Sequence, residues 1–244
     1  MKQEIIVLSG DPFVVEIARS VTGEGFAEIF EADNGLESAC ADAVIRKADA
    51  LLFAGTEEDV KLAKRIFGSF GQVPAVFVLA ENDEELAHLH ELGSSVCIPL
   101  SRRSDAAGSA RFIVTNLKII AERRMESERK ALSVYVTNLL MKGRINAGHS
   151  GFSLLRDAIV YCIENRSCTA ALGKEVYREI ARNNSMTPAS VERNIRTSID
   201  RCWKLDPEHF CAGFFGSPST ALREKPTAKE FISTLAERVA LEFG

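Results

Sequence analysis

At 244 residues the chain is long enough for two ordinary domains, and its 46% hydrophobic and 26% charged residues are globular values, which exclude a disordered chain. The net charge of −4 is unevenly divided: residues 1–130 hold 15 Lys/Arg against 22 Asp/Glu, and residues 131–244 hold 15 against 12. An acidic first half and a mildly basic second half suit a protein carrying one nucleic-acid module.

Residues 1–120 alternate strand-like and helix-like segments. The apolar runs 4–8, 27–32, 50–54, 74–80 and 96–100 are of buried-strand length, and Ser9-Gly10 and Gly55 stop the first and third. Between and after them, residues 12–21, 36–47, 57–67, 83–92 and 106–124 carry helical periodicity. Five short apolar strands alternating with five helices predict a doubly wound parallel sheet covered on both faces. Ligands in such sheets sit at the carboxyl ends of the strands.

Residues 121–130 (AERRMESERK) are almost wholly charged and lack Gly and Pro, so they read as a linker or as an extension of the preceding helix. An all-helical domain is predicted over residues 131–244, with helices at 131–142, 151–165, 174–183, 188–205, 207–215 and 227–243. His149 falls in the turn before the second of these and has no His or Cys partner at metal spacing.

Within this domain, residues 172–205 have a helix-turn-helix layout. Val176 and Ile180, with Tyr177 and Ala181 beside them, form one apolar stripe. The run Asn183-Asn184-Ser185-Met186 stops that helix, and Thr187-Pro188 restarts one as N-cap and first helical residue. Val191, Ile195, Ile199 and then Cys202 or Trp203 recur every four residues as its buried back. The front carries Ser190, Arg193, Asn194, Arg196, Thr197 and Arg201. Arginine can bond guanine and asparagine adenine through paired hydrogen bonds in the major groove. Lys174, Arg178 and Arg182 on the preceding helix are candidates for phosphate contacts.

SVERNIRTSID, preceded by IARNN and followed by Trp203, resembles the DNA-binding domain of the stage-zero sporulation regulator A family. So do GFSLLRDAI from Gly151 and KPTAKEFISTLAERVALEF from Lys225, and the likeness runs from Val136 to the C-terminus. It implies a transcription regulator in which Ser190, Glu192, Arg193 and Arg196 face double-stranded DNA. Asn194 and Thr197 depart from the family pattern.

The first half resembles a response-regulator receiver, in architecture and in punctuation such as DP after the first strand and ELGSS before the fifth. Its functional positions differ. The acidic pair expected after the first strand is Ser9 and Gly10, with Asp11 one step late. The phosphate-accepting position is Ala54, the hydroxyl position falls at Leu79 or Ala80, and Ile98-Pro99 replaces Lys-Pro. Without a carboxylate there is no nucleophile for phosphoryl transfer, and Mg²⁺ has too few oxygen ligands. These residues predict a degenerate phosphorylation site; Asp11, Asp33 and Glu57 read as solvated loop carboxylates rather than a residual acid site.

The expected protein is a sequence-specific, DNA-binding transcription regulator of the sporulation-initiation type, with a pseudo-receiver that acts without phosphorylation. A homodimer is expected, or a heterodimer with a paralogue. The alternative is a protein-binding adaptor that pairs with a phosphorylatable paralogue. No nucleophile–base pair, metal cluster or phosphate loop points to an enzyme, a cofactor or a metal. No apolar run approaches the roughly 20 residues of a membrane span, and no signal peptide precedes Ile5. Cys40, Cys97, Cys162, Cys168, Cys202 and Cys211 form no CxxC pair and read as reduced core thiols of a cytoplasmic protein.

Overall fold

The computed structural model describes residues 2–23, 25–32, 34–70, 73–93, 97–165, 175–215 and 225–243. Five parallel strands, β1 (Gln3–Leu8), β2 (Ala27–Ala32), β3 (Ala50–Ala54), β4 (Ala75–Leu79) and β5 (Ile98–Leu100), form one sheet in the order β2-β1-β3-β4-β5. This is the doubly wound order of receiver-like domains. Its helices are α1 (Pro12–Gly23), α2 (Leu36–Ile45), α3 (Glu57–Phe67), α4 (Asp83–Glu91) and the start of α5 (Ala106–Lys142).

Alternation along each strand sorts the apolar side chains onto two faces. Ile5, Val7, Leu52, Phe77 and Leu79 pack under Val14, Ile17 and Val21 of α1 and Ile113 and Leu117 of α5. Ile6, Leu51, Phe53, Val76 and Val78 meet Ala39 and Cys40 of α2, Val60, Ala63 and Phe67 of α3, and Leu89 of α4. Covered on both faces, the strands carry the continuous apolar runs that made them visible in the sequence.

The chain divides into two compact units, Met1–Arg124 and Met125–Gly244. Helix α5 runs through the division without a break. The segments expected at 106–124 and 131–142 are therefore one helix, and the charged run 121–130 is its middle. No residue between Leu117 and Leu132 is buried, so no apolar stripe marks that middle in the sequence. Strong helix formers hold it instead.

The second unit is helical: α6 (Ser150–Glu164), α7 (Glu175–Asn183), α8 (Pro188–Leu205), α9 (Pro207–Phe215) and α10 (Ala228–Phe243) follow α5. Phe210, Phe214 and Phe231 are fully buried and stack edge-on or tilted, with centroids 4.9–5.2 Å apart. Burial of each such ring contributes about 1.5–3 kcal/mol. Helix α10 starts at a capping box in which the Thr227 N–H donates to Glu230 (2.8 Å) and the Glu230 N–H to the Thr227 hydroxyl (3.2 Å). Among the described residues no helix is long and apolar enough to cross a membrane.

Candidate nucleic-acid interface

Helix α7 buries Val176, Tyr177, Ile180 and Ala181. It ends in a paired closure: the Met186 N–H donates to the Ala181 carbonyl (2.9 Å) and the Ser185 N–H to that of Arg182 (3.5 Å). That arrangement needs a left-handed residue, and Ser185 supplies it at φ 52°. Two residues on, the Thr187 hydroxyl accepts from the Ser190 N–H (3.2 Å) and Pro188 opens α8. The turn between the helices is thus built from local backbone bonds.

Val191, Ile195, Ile199 and Cys202 form the buried back of α8, together with Ser198. Trp203 is only half-buried and packs edge-on against Phe210, so Cys202 completes the stripe. Behind this helix α6 comes very close. A Cβ on Gly151 would lie 2.2 Å from the Asn194 carbonyl oxygen and 2.3 Å from the Ser198 hydroxyl. Only glycine fits that crossing.

The front of α8 exposes Glu192, Arg193, Arg196 and Thr197, with Ser190 half-buried at its start. The Thr197 hydroxyl donates to the Arg193 carbonyl (2.8 Å) and keeps its oxygen outward as an acceptor. Asn194 does not join this front. Its amide donates to the Ser190 carbonyl (2.9 Å), and its oxygen accepts from the Ser150 hydroxyl (3.3 Å) at the start of α6. Arg201 sits beside the ring of His149, the residue before α6, at 3.3–3.4 Å.

Most arginines elsewhere in the unit are neutralised. Arg129, Arg144, Arg156, Arg182 and Arg238 each pair with a carboxylate at 2.7–3.2 Å. Neither Arg193 nor Arg196 has a carboxylate partner among the described residues, and nor has Arg178 on α7. Of the three phosphate-contact candidates, Arg178 is therefore open and Arg182 is held by Glu179. Lys174 lies outside the described residues.

The carboxyl edge of the sheet is arranged in the opposite way. Ser9 and Gly10 follow β1, Ala54 ends β3, Leu79 ends β4 and Ala80 follows it. Asp11 is no solvated loop carboxylate. It accepts from the N–H groups of Phe13 (2.8 Å) and Val14 (3.2 Å), capping α1, and takes two bonds from the Arg102 guanidinium (3.4 and 2.5 Å). The Arg102 bond foremost, then those two N–H groups, hold its carboxyl below the ordinary 3.8, against the opposing effect of partial burial. Glu57 pairs with Lys61, Asp59 accepts from the Thr56 N–H (2.8 Å), and Glu85 accepts from the Glu57 N–H (2.6 Å). Asp33 lies outside the described residues. Among those described, no three His, Cys, Asp or Glu side chains converge as they would around a metal ion, and Cys40, Cys97, Cys162, Cys202 and Cys211 are buried.

Sequence reasoning missed the Asp11–Arg102 pair and the inward turn of Asn194, whose partners lie 91 and 44 residues away. A helical front with unneutralised arginines over a capped turn is suited to lying along a DNA groove. Residues 136–239 match the family model described as "Sporulation initiation factor Spo0A C terminal". The helical domain thus belongs to the family of Spo0A C-terminal domains, the DNA-binding part of sporulation-initiation regulators of transcription.

Proposed function

We propose that α8 is the recognition helix of a sequence-specific regulator, with Arg193 and Arg196 reading base edges and Ser190, Glu192 and Thr197 completing the contact. The observation that carries this is the exposed pair of arginines left without carboxylates on a helix whose back is fully packed. Arg178 meets the phosphate backbone and fixes orientation rather than sequence. Asn194 serves the packing of α8 on α6 instead of reading adenine. The helix pair α7–α8 thus acts as the DNA-reading part of the second domain.

The receiver-like domain, in this reading, works without aspartyl phosphorylation. Ala54 offers no carboxylate, and Asp11, the nearest acid after β1, is already held by Arg102. Its remaining role is to bring two copies together. In support, Phe112 and Ile119 of α5 are 47% and 41% exposed and line a groove of about 340 Å³ with Ile98 and Pro99 of β5. That apolar face suits a second copy of this domain.

The test begins with selection of bound duplexes from a random pool by the full chain. Fluorescence anisotropy then compares the selected duplex with a scrambled one across a salt series. A clear preference, with affinity falling steeply in salt, is expected. Arg193→Ala should weaken the selected duplex by about 1–3 kcal/mol while sparing the scrambled one. Equal losses on both would remove Arg193 from base reading, and absence of any preference would favour the adaptor alternative. Incubation with a small phosphodonor and Mg²⁺ should leave the mass unchanged.

A further inference from the structure

On the flank of α8 away from Asn194 lies a groove of about 430 Å³, shared with α7 and the start of α10 and lined by Tyr177, Glu192, Arg196, Asp200, Lys225 and Lys229. Arg196 and Glu192 belong both to the helix front and to this groove, so the two surfaces are continuous. Lys225 pairs with Asp200, an acid that otherwise sits on the reading helix uncompensated. Lys229 is exposed one turn further on, with no carboxylate partner among the described residues. The groove therefore holds three cations and two acids, one acid already neutralised.

A helix seated in the major groove runs between two phosphate strands, and side chains on its flanks meet them. We infer that Lys229, which lines the same groove as Arg196, contacts the DNA phosphate backbone on this flank, and that Lys225 silences Asp200 so that its carboxylate does not repel that strand. The inference rests on α8 being the recognition helix. It extends the DNA-contacting surface to α10, which lies outside the helix-turn-helix, and it assigns these lysines to affinity rather than to sequence. The neighbouring acids fit the division. Asp200 is covered by its lysine, and Glu192 lies beside Arg196, which is long enough to reach past it.

The experiment uses the full chain, the selected and scrambled duplexes and a salt series, with Lys229→Ala and Asp200→Asn as variants. Lys229→Ala should weaken both duplexes equally, by roughly three- to tenfold, and lower the slope of log affinity against log salt by about one. Asp200→Asn should tighten both about twofold, since it frees Lys225 and removes a negative charge facing phosphate. A purely structural ion pair predicts the reverse for Asp200→Asn, because losing it would loosen the start of α10. Unchanged affinity and slope in Lys229→Ala, a loss confined to the selected duplex, or weaker binding by Asp200→Asn would each overturn the inference. Failure of the unaltered chain to prefer any duplex would instead overturn the recognition-helix reading beneath it. Both side chains lie at the surface, and circular dichroism melts of each variant would register any loss of folding.

Discussion

The carboxyl edge of the sheet and the front of α8 both gather charge outside the cores, and they treat it in opposite ways. At the sheet edge acids are taken up in pairs and caps: Asp11 has Arg102, Glu57 has Lys61, Asp83 has Arg103, and Asp59 and Glu85 satisfy the N–H groups that open α3. On α8 the arginines are left open over a rigid back. A region that consumes its own charge has little left for a ligand, whereas one that leaves cations unpaired has a standing attraction for anions. The same residue type thus stabilises one domain and equips the other for binding.

The largest test of that contrast removes the rigid back. Gly151→Ala would drive a methyl group into the Asn194 carbonyl and the Ser198 hydroxyl, and backbone cannot swing aside as a flexible side chain does. A cost of about 3 kcal/mol or more is expected, near the upper end for overpacking. It would appear as a lower denaturation midpoint of the helical domain together with lost DNA affinity. Full stability in this variant would mean that α6 does not hold α8 in place.

Next in size is a paired comparison of two arginines. Arg193→Ala should cost about 1–3 kcal/mol in binding the selected duplex and leave thermal stability nearly unchanged. Arg102→Ala should do the opposite, costing about 0.5–1 kcal/mol of stability, the range of a partly exposed ion pair, while DNA affinity stays the same. If Arg102→Ala weakened DNA binding as much as Arg193→Ala, the two regions would not be functionally separate.

How much of this was legible follows from where the signal resides. Strand and helix positions were readable because fully covered strands are unbroken apolar runs between turn residues, as in residues 50–54 stopped by Gly55. The fronts and backs of α7 and α8 were readable because helical spacing places Val191, Ile195 and Ile199 on one side and Arg193 and Arg196 on the other. Continuity of α5 was not, since its middle buries nothing and so carries no periodicity. Long-range pairings were invisible for a different reason: Asp11 with Arg102, Asn194 with Ser150 and Lys225 with Asp200 meet only when the fold brings distant segments together. Gly151 stood in a quoted motif, yet its reason, a helix crossing too close for any side chain, is a property of the packed pair. Asp11 illustrates the limit best, because its distance from the expected acidic position suggested idleness when it caps α1 and is paired.

The smallest effect concerns pH and isolates the charge on Asp11 from its capping role. Asp11→Asn keeps an oxygen to accept from Phe13 and Val14 but loses the charge that Arg102 grips. Because the folded carboxyl titrates below the ordinary 3.8, the pair contributes its stability in full above that value and loses it as the pH falls through the lowered folded value. The stability difference between the unaltered chain and Asp11→Asn should therefore be constant at neutral pH, on the order of 0.5 kcal/mol, and should close only on the acid side of 3.8. Added salt should shrink it, since the guanidinium is partly exposed. Denaturant titrations of both proteins over that range would read the difference directly. A gap that persisted unchanged into acid would mean that Asp11 acts by its shape alone, and the sheet edge would then owe its closure to capping rather than to charge.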